Sequence, residues 1–281
     1  ADMGALASRG SWCVLQVNSD NRGVYNITER MNEDFLASHL GPGEFDIIKT
    51  GETILSGSRE AWDELRHFVT KTDFSNDDNY EALSQRIDIE NLTSYVIVNL
   101  CLQNFDWPHN NWYAARRVPD GKWIFLCWDS EWGLGYQHPG LGDAPYGIDV
   151  DPYAFMDSGG AYSNSLIRNL FLALINHSQY REYYQQEVQK HLSGPLSTKN
   201  IMRHIHRHRD AIAHDLEIEY VEHGQNLERW HDQIKEVEYF ARHSPSNFQK
   251  HTDEYFSHRA TPPRNSRPAI TETETGQLRV T

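Results

Sequence analysis

Apolar and β-branched residues fall in short runs over residues 11–50, SWCVLQV and GVYNITE, with the turn-like Asn18-Ser19-Asp20-Asn21-Arg22-Gly23 between them. The segment reads as strand-rich. Residues 58–70 (SREAWDELRHFVT) place Trp62, Leu65, Phe68 and Val69 at helical spacing behind Ser58, which is expected to cap that helix. Residues 71–80 are polar and read as a connection. Residues 89–102 (IENLTSYVIVNLCL) return to helical spacing, with Leu92, Tyr95, Val96, Asn99 and Leu100 in one set. A hairpin follows: residues 112–118, the turn Pro119-Asp120-Gly121, and the aromatic and β-branched run at 122–128.

Residues 137–164 are rich in Gly, Pro, Asp and Tyr and form too long a stretch for a simple connector, so a functional or mobile loop is expected. Helical patterns then occupy 166–174, 179–192, 198–222 and 227–257, the last with a stripe of Trp230, Ile234, Val237 and Phe240. Residues 260–269 read as a Pro- and Arg-rich linker, and 270–281 as the possible start of a further β-domain.

This layout gives residues 103–135 their chemical interest. Asp106 lies five residues before Asn111, the hairpin follows, and Asp129 ends its apolar strand. Phosphoryl transfer to a hydroxyl needs one carboxylate to orient the acceptor, and an amide oxygen and a second carboxylate to hold Mg²⁺ against phosphates. Asp-x-x-x-x-Asn is also the spacing of the protein-kinase catalytic loop. Singly these residues have plainer readings. Asp106, Asn110 and Asn111 are common turn formers, and Trp112, Trp123, Trp128 and Trp132 are core residues by default, though one could stack on a purine. Asp129 is harder to dismiss, because a carboxylate ending a hydrophobic strand needs a partner or a metal.

The 281 residues suffice for a real core, and 38% apolar with 12% aromatic residues argues for a folded chain. A net charge of −14 argues against non-specific nucleic-acid binding. No apolar run is long enough to span a bilayer and no secretory signal is visible. Cys13, Cys101 and Cys127 are three, without CxxC spacing, which speaks against disulfides and zinc; Cys101 and Cys127 read as buried thiols. His204, His206, His208 and His214 cluster, with His204 and His208 on one helical face, but interleaved Arg203, Arg207 and Arg209 point to a solvated face rather than a metal site.

Several segments together resemble the spore-coat CotH kinases, a family of atypical protein kinases. Residues 23–31 (GVYNITERM) resemble the family's G-x-Y-x-x-x-E strand, and 45–49 (FDIIK) the segment after it that ends in lysine. Residues 104–113 resemble its catalytic stretch ending Asn-Asn-x-Tyr, and 122–135 its K-W-x-x-x-x-W-D-x-x-W-x-x-G. The likeness runs, with gaps, from about Gly23 to the region of Arg242. It implies an α+β, divergent kinase-like bilobal fold over residues 1–259, strand-rich first and helical later, using ATP and Mg²⁺ (or Mn²⁺) to phosphorylate serine or threonine of a protein substrate. By position Asp106 matches the catalytic aspartate and Asp129 the metal-binding one. Asn111 is the second metal ligand by spacing, with Asn110 its competitor. Lys49 is expected to reach phosphate oxygens, and Glu29 to pair with Lys49 or the metal. The loop over 137–164 falls where a kinase places its activation segment.

The chain departs from the kinase pattern in lacking a glycine-rich phosphate loop and in having few residues before Gly23, so a fragment truncated at both ends is expected. Two other classes stay open. One is a glycoside hydrolase with Asp106 or Glu131 as acid and Asp129 as nucleophile; the other is a kinase-like binding module without turnover.

Overall fold

The computed structural model describes residues 2–135, 147–158, 163–224, 226–259, 270–272 and 278–280. Strands β1 (Gly10–Val17) and β2 (Asp20–Thr28) form an antiparallel hairpin whose reversal needs only Asn18 and Ser19, Asn18 taking φ 58°. Residues 20–23, expected in the turn, therefore belong to β2. A helix that the strand-rich reading did not anticipate follows. In α1 (Glu33–Leu40), Asn32 caps the start by accepting from the Phe35 amide at 3.0 Å, and Phe35 and Leu36 are buried. At eight residues it is too short to show a period.

The main sheet has four strands in the order β4 (Thr53–Ser56), β3 (Phe45–Lys49), β5 (Trp112–Arg117), β6 (Ile124–Cys127), every neighbouring pair antiparallel. The β1–β2 hairpin is not part of it. Strand β6 is shorter than the run 122–128 suggests because Trp123 is held elsewhere. Its amide donates to Arg86 O and its carbonyl accepts from Asp88 N, both at 2.9 Å.

Helix α2 (Glu60–Lys71) begins later than expected, with Arg59 rather than Ser58 at the cap position, and Ser58 Oγ accepts from Glu60 N at 3.0 Å just outside it. The supposed connection over 71–80 starts a further helix, α3 (Asp77–Ser84), capped by Asn76. Helix α4 (Ile89–Cys101) is buried on most sides. The side chain of Asn91 leaves it to pair with one residue of β6, accepting from Phe125 N at 2.6 Å and donating to Phe125 O at 3.2 Å. An amide side chain here does what a neighbouring strand would do.

Both faces of the sheet are covered. On one face Phe35 and Leu36 of α1 pack with Met31, Phe45, Ile47, Tyr113 and Leu126. On the opposite face Trp62 of α2, fully buried, stacks on Trp112 at 5.5 Å and meets the edge of Trp123 at 5.0 Å. This larger core continues through α4 into α6 (Leu166–Leu174), α7 (Ser178–Ser193) and the carboxyl half of α9 (Leu227–Ser257), after the short α5 (Ala154–Asp157). The architecture is thus α+β, strand-rich first and helical later.

Part of the expected long loop, 147–158, is described, and Tyr153 fixes it. Its ring is fully buried, stacked on Tyr255 at 4.3 Å, and its hydroxyl bonds Thr252 Oγ1 at 2.8 Å and Tyr184 OH at 3.1 Å. Residues 136–146 and 159–162 lie outside the described residues, as does the expected linker. Strands β7 (Ile270–Glu272) and β8 (Leu278–Val280) pair antiparallel.

Helix α8 (Thr198–Glu222) carries the β1–β2 hairpin. Glu219 accepts from Val24 N at 2.7 Å, an approach that Gly23 permits: a Cβ there, at φ 92°, would lie 2.6 Å from the carboxylate. The histidines of α8 bridge rather than converge. His204 pairs with Asp2 at 2.8 Å, His206 with Glu238 at 2.9 Å, and His208 Nδ1 accepts from Trp12 Nε1 at 3.0 Å. Among the described residues no group of three or more His, Cys, Asp or Glu is placed to hold a metal ion. All three cysteines are free thiols, and burial pushes the Cys101 thiol up to about 12. Among the described residues no helix is long and apolar enough to cross a membrane.

Truncating Trp62 removes the ring joining α2 to the sheet. Trp62→Ala is expected to cost about 3–5 kcal/mol in chemical denaturation, and a loss below about 1 kcal/mol would mean that the two faces do not depend on this contact.

Candidate functional site

Helix α4 ends where Gln103 turns the chain at φ 50°, and the loop that follows is tied back to the helix from below. Asn104 donates through Nδ2 to Asn99 Oδ1 at 3.0 Å and through its backbone amide to Asn99 O at 2.9 Å. Asn99 passes its own Nδ2 to Tyr95 O at 2.8 Å, and Trp107, buried, donates to the Tyr95 hydroxyl at 2.9 Å. These buried hydrogen bonds hold the loop in one geometry, although Gln103 Oε1 and Asn104 Oδ1 stay buried without a partner.

Asp106 projects from this base. Asn111 donates through Nδ2 both to Asp106 Oδ2 at 2.8 Å and to the backbone carbonyl of Asp129 at 3.0 Å. One side-chain amide therefore joins the loop to the end of β6. Asn110 gives Asp106 longer contacts of 3.3 and 3.4 Å, and His109 Nε2 lies 3.5 Å from Oδ1. Asn111 and Asp129 both adopt left-handed backbone, φ 56° and 52°, which Asn and Asp accept more readily than other residues. Thr50 steadies the same corner by accepting from the Trp112 amide at 3.1 Å.

Lys49 is half-buried at the end of β3, opposite Tyr113, whose ring meets the edge of Trp128 at 5.5 Å. Glu29 stands apart from it. Its carboxylate accepts from Arg9 N at 2.9 Å and lies 3.5 Å from His39 Nε2, so the structure does not bring it to Lys49. The expected pairing of those two residues is replaced by a bond across the base of the β1–β2 hairpin.

Within this corner the strongest electrostatic perturbation falls on Glu131. Its side chain is exposed, yet partial desolvation, a hydrogen bond with the Asp129 side chain, and the charges of Asp129 and Asp106 push it up to about 7. Three carboxylates thus share one corner, and one of them is partly protonated at neutral pH.

Hard oxygen donors of this kind suit Mg²⁺, which takes few protein ligands and leaves the rest of its shell to phosphates and water. The residues fit such an ion. Asn111 has committed its amide nitrogen, which leaves Oδ1 as its donor atom, and the mutual repulsion around Glu131 is what a cation would relieve.

Of the residues singled out from the sequence, the structure brings Asp106, Asn110, Asn111 and Asp129 together, puts Lys49 at a neighbouring strand end and sets Glu29 aside. It adds Thr50, His109 and Asn99. Only Asn99 left a trace in the sequence, as a polar residue in an otherwise apolar helical set.

The Glu131 shift has a defined sign. A carboxyl raised from 4.5 to about 7 adds stability below about pH 4.5 and loses it as pH rises through 7. Glu131→Gln is therefore expected to raise the melting temperature relative to the parent at pH 8 and to leave it nearly unchanged at pH 5. A difference independent of pH would mean that Glu131 does not titrate in this corner.

No curated protein matches the chain. The family model for CotH kinase protein matches residues 1–247, which takes in both hairpins, the loop over 103–111 and the helices through most of α9. The chain belongs to the CotH kinase family.

Proposed function

We propose that the protein transfers the γ-phosphoryl group of ATP, with Mg²⁺, to serine or threonine hydroxyls of a protein substrate. The observation that carries this reading is the Asn111 amide, bonded at once to the Asp106 carboxylate and the Asp129 carbonyl. It ties the loop carrying Asp106 to the strand end carrying Asp129, which supports reading the two as the base and the metal-binding carboxylate that phosphoryl transfer to a hydroxyl requires.

In this mechanism Asp106 accepts the hydrogen bond of the substrate hydroxyl, orients it, and takes its proton as the oxygen attacks. Asn110 and Asn111 keep the carboxylate aimed by donating to its oxygens. Asp129 and Asn111 Oδ1 would hold Mg²⁺, which when bound neutralises charge on the phosphates. Lys49, half-buried at a strand end, would reach a phosphate oxygen. Glu131, held by Asp129, releases its proton when charge in the corner is compensated. Protein charge of −14 favours neutral or basic protein substrates.

Glycoside hydrolysis through the Asp129–Glu131 pair fits less well. Glycosidase carboxyl groups stand about 5 Å apart or more, whereas these two share a hydrogen bond.

The test is phosphate transfer from γ-labelled ATP to a Ser-rich protein acceptor with Mg²⁺ or Mn²⁺, beside Asp106→Ala and Asp129→Ala. Loss of rate by about 10²–10⁴-fold is expected in each. Nucleotide binding without transfer would leave a binding module, and no metal-dependent nucleotide binding at all would overturn the reading.

A further inference from the structure

We propose that Ser163 is a phosphorylation site whose phosphate is received by Arg66 of α2 and Arg168 of α6. Arg66 reaches the segment just before α6 directly and Arg168 connects to it through Asn169, neither guanidinium being fully used. Arg66 Nη1 donates to Asn164 O at 3.2 Å, and its Nη2 contacts Glu52. Arg168 Nη1 donates to Asn169 Oδ1 at 3.2 Å, and Asn169 Nδ2 reaches back to Ser163 O at 3.4 Å. Each arginine keeps a buried Nε without a hydrogen-bond acceptor. A buried, unsatisfied donor costs free energy wherever it occurs, and here two occur, on arginines bonded around the same three residues.

Ser163 is exposed and so can be reached by a transferring enzyme. The next residues begin α6, with Ser165 as its cap, so added negative charge also meets the favourable end of the helix dipole. Burial holds the Arg66 guanidinium below its ordinary value, a cost that an anion at the site relieves. Arg66 can turn without stranding Glu52, which keeps Arg59 Nη2 at 3.0 Å and Trp62 Nε1 at 3.3 Å. A phosphoserine brings nearly two negative charges and three acceptor oxygens, enough to engage both Nε groups.

The modification is ordinary phosphoryl transfer. The terminal phosphoryl of a nucleoside triphosphate passes to Ser163 Oγ, the P–O bond to the diphosphate breaks, and the hydroxyl proton leaves to the base of the transferring kinase. Its reach extends to the candidate site. Ser165 Oγ donates at 2.8 Å to Pro108 O, two residues from Asp106 and next to His109. Clamping residue 163 between α2 and α6 therefore braces the loop that carries the base.

The experiment places phosphoserine at 163 by genetic encoding in the full chain and compares thermal unfolding with the unmodified protein, so it does not depend on the protein's own catalysis. The melting temperature is expected to rise by roughly 4 °C at low salt and to rise less at high salt. The rise should shrink by at least half in Arg66→Gln and in Arg168→Gln, each compared with its own unmodified form. No rise, or a rise that both substitutions leave intact, would overturn the assignment. So would an equal, Arg66-dependent rise on adding inorganic phosphate to the unmodified chain, since the arginines would then serve a diffusible ligand.

Discussion

The side chain of Asn91 sets the spacing on which the candidate site rests. It occupies both hydrogen-bonding groups of Phe125 and so locks β6 to α4 in one register. Apolar packing alone is non-directional and tolerates slippage, whereas a slip of one residue in a strand exchanges its two faces. A second tie, from Trp123 to Arg86 and Asp88, holds the other end of the same strand. The loop bearing Asp106 leaves the end of α4, and Asp129 leaves the end of β6. Their proximity is thus a property of the helix–strand pair, inherited by both loops.

Around that frame the chain accepts local cost. Gln103, Asn111, Asp129 and Leu134 all take positive φ, and they flank one corner of the molecule. Residues held in sparsely populated backbone regions persist where their surroundings over-determine them. Here the surroundings are the Asn99–Asn104 and Tyr95–Trp107 bonds below and the Asn111 bridge above. The same corner gathers Asp106, Asp129 and Glu131, and desolvation together with the neighbouring carboxylates raises Glu131 to about 7. Strain and like charge thus coincide in one corner, at a cost to the chain's own stability.

How much could be read from the sequence depends on distance along the chain. The second hairpin was legible because proline, glycine and a β-branched run are local signals, and the five longer helices from α4 onward, α5 aside, because each spans at least nine residues of periodic pattern. Helices α1 and α3, eight residues each, bury too few side chains to announce themselves. Asp106 and Asn111 sit five residues apart in one loop, so their bond is nearly written in the spacing. The partner of Glu29 is a backbone amide 20 residues away across a hairpin, and no spacing could have given it. Glu131 is perturbed by partial desolvation and by two carboxylates from separate loops, which exists only once the loops have met.

Tyr153 sits between β6 and α6 with its ring stacked and its hydroxyl doubly bonded in the helical core. A connection moored at its middle is, for evolution, two connections. Insertions or exchanges on the side nearer Asp129 need not disturb the side nearer Ser163, and the reverse holds as well. A relative with an aromatic hydroxyl at this mooring would be free to vary the two halves of the connection along separate histories.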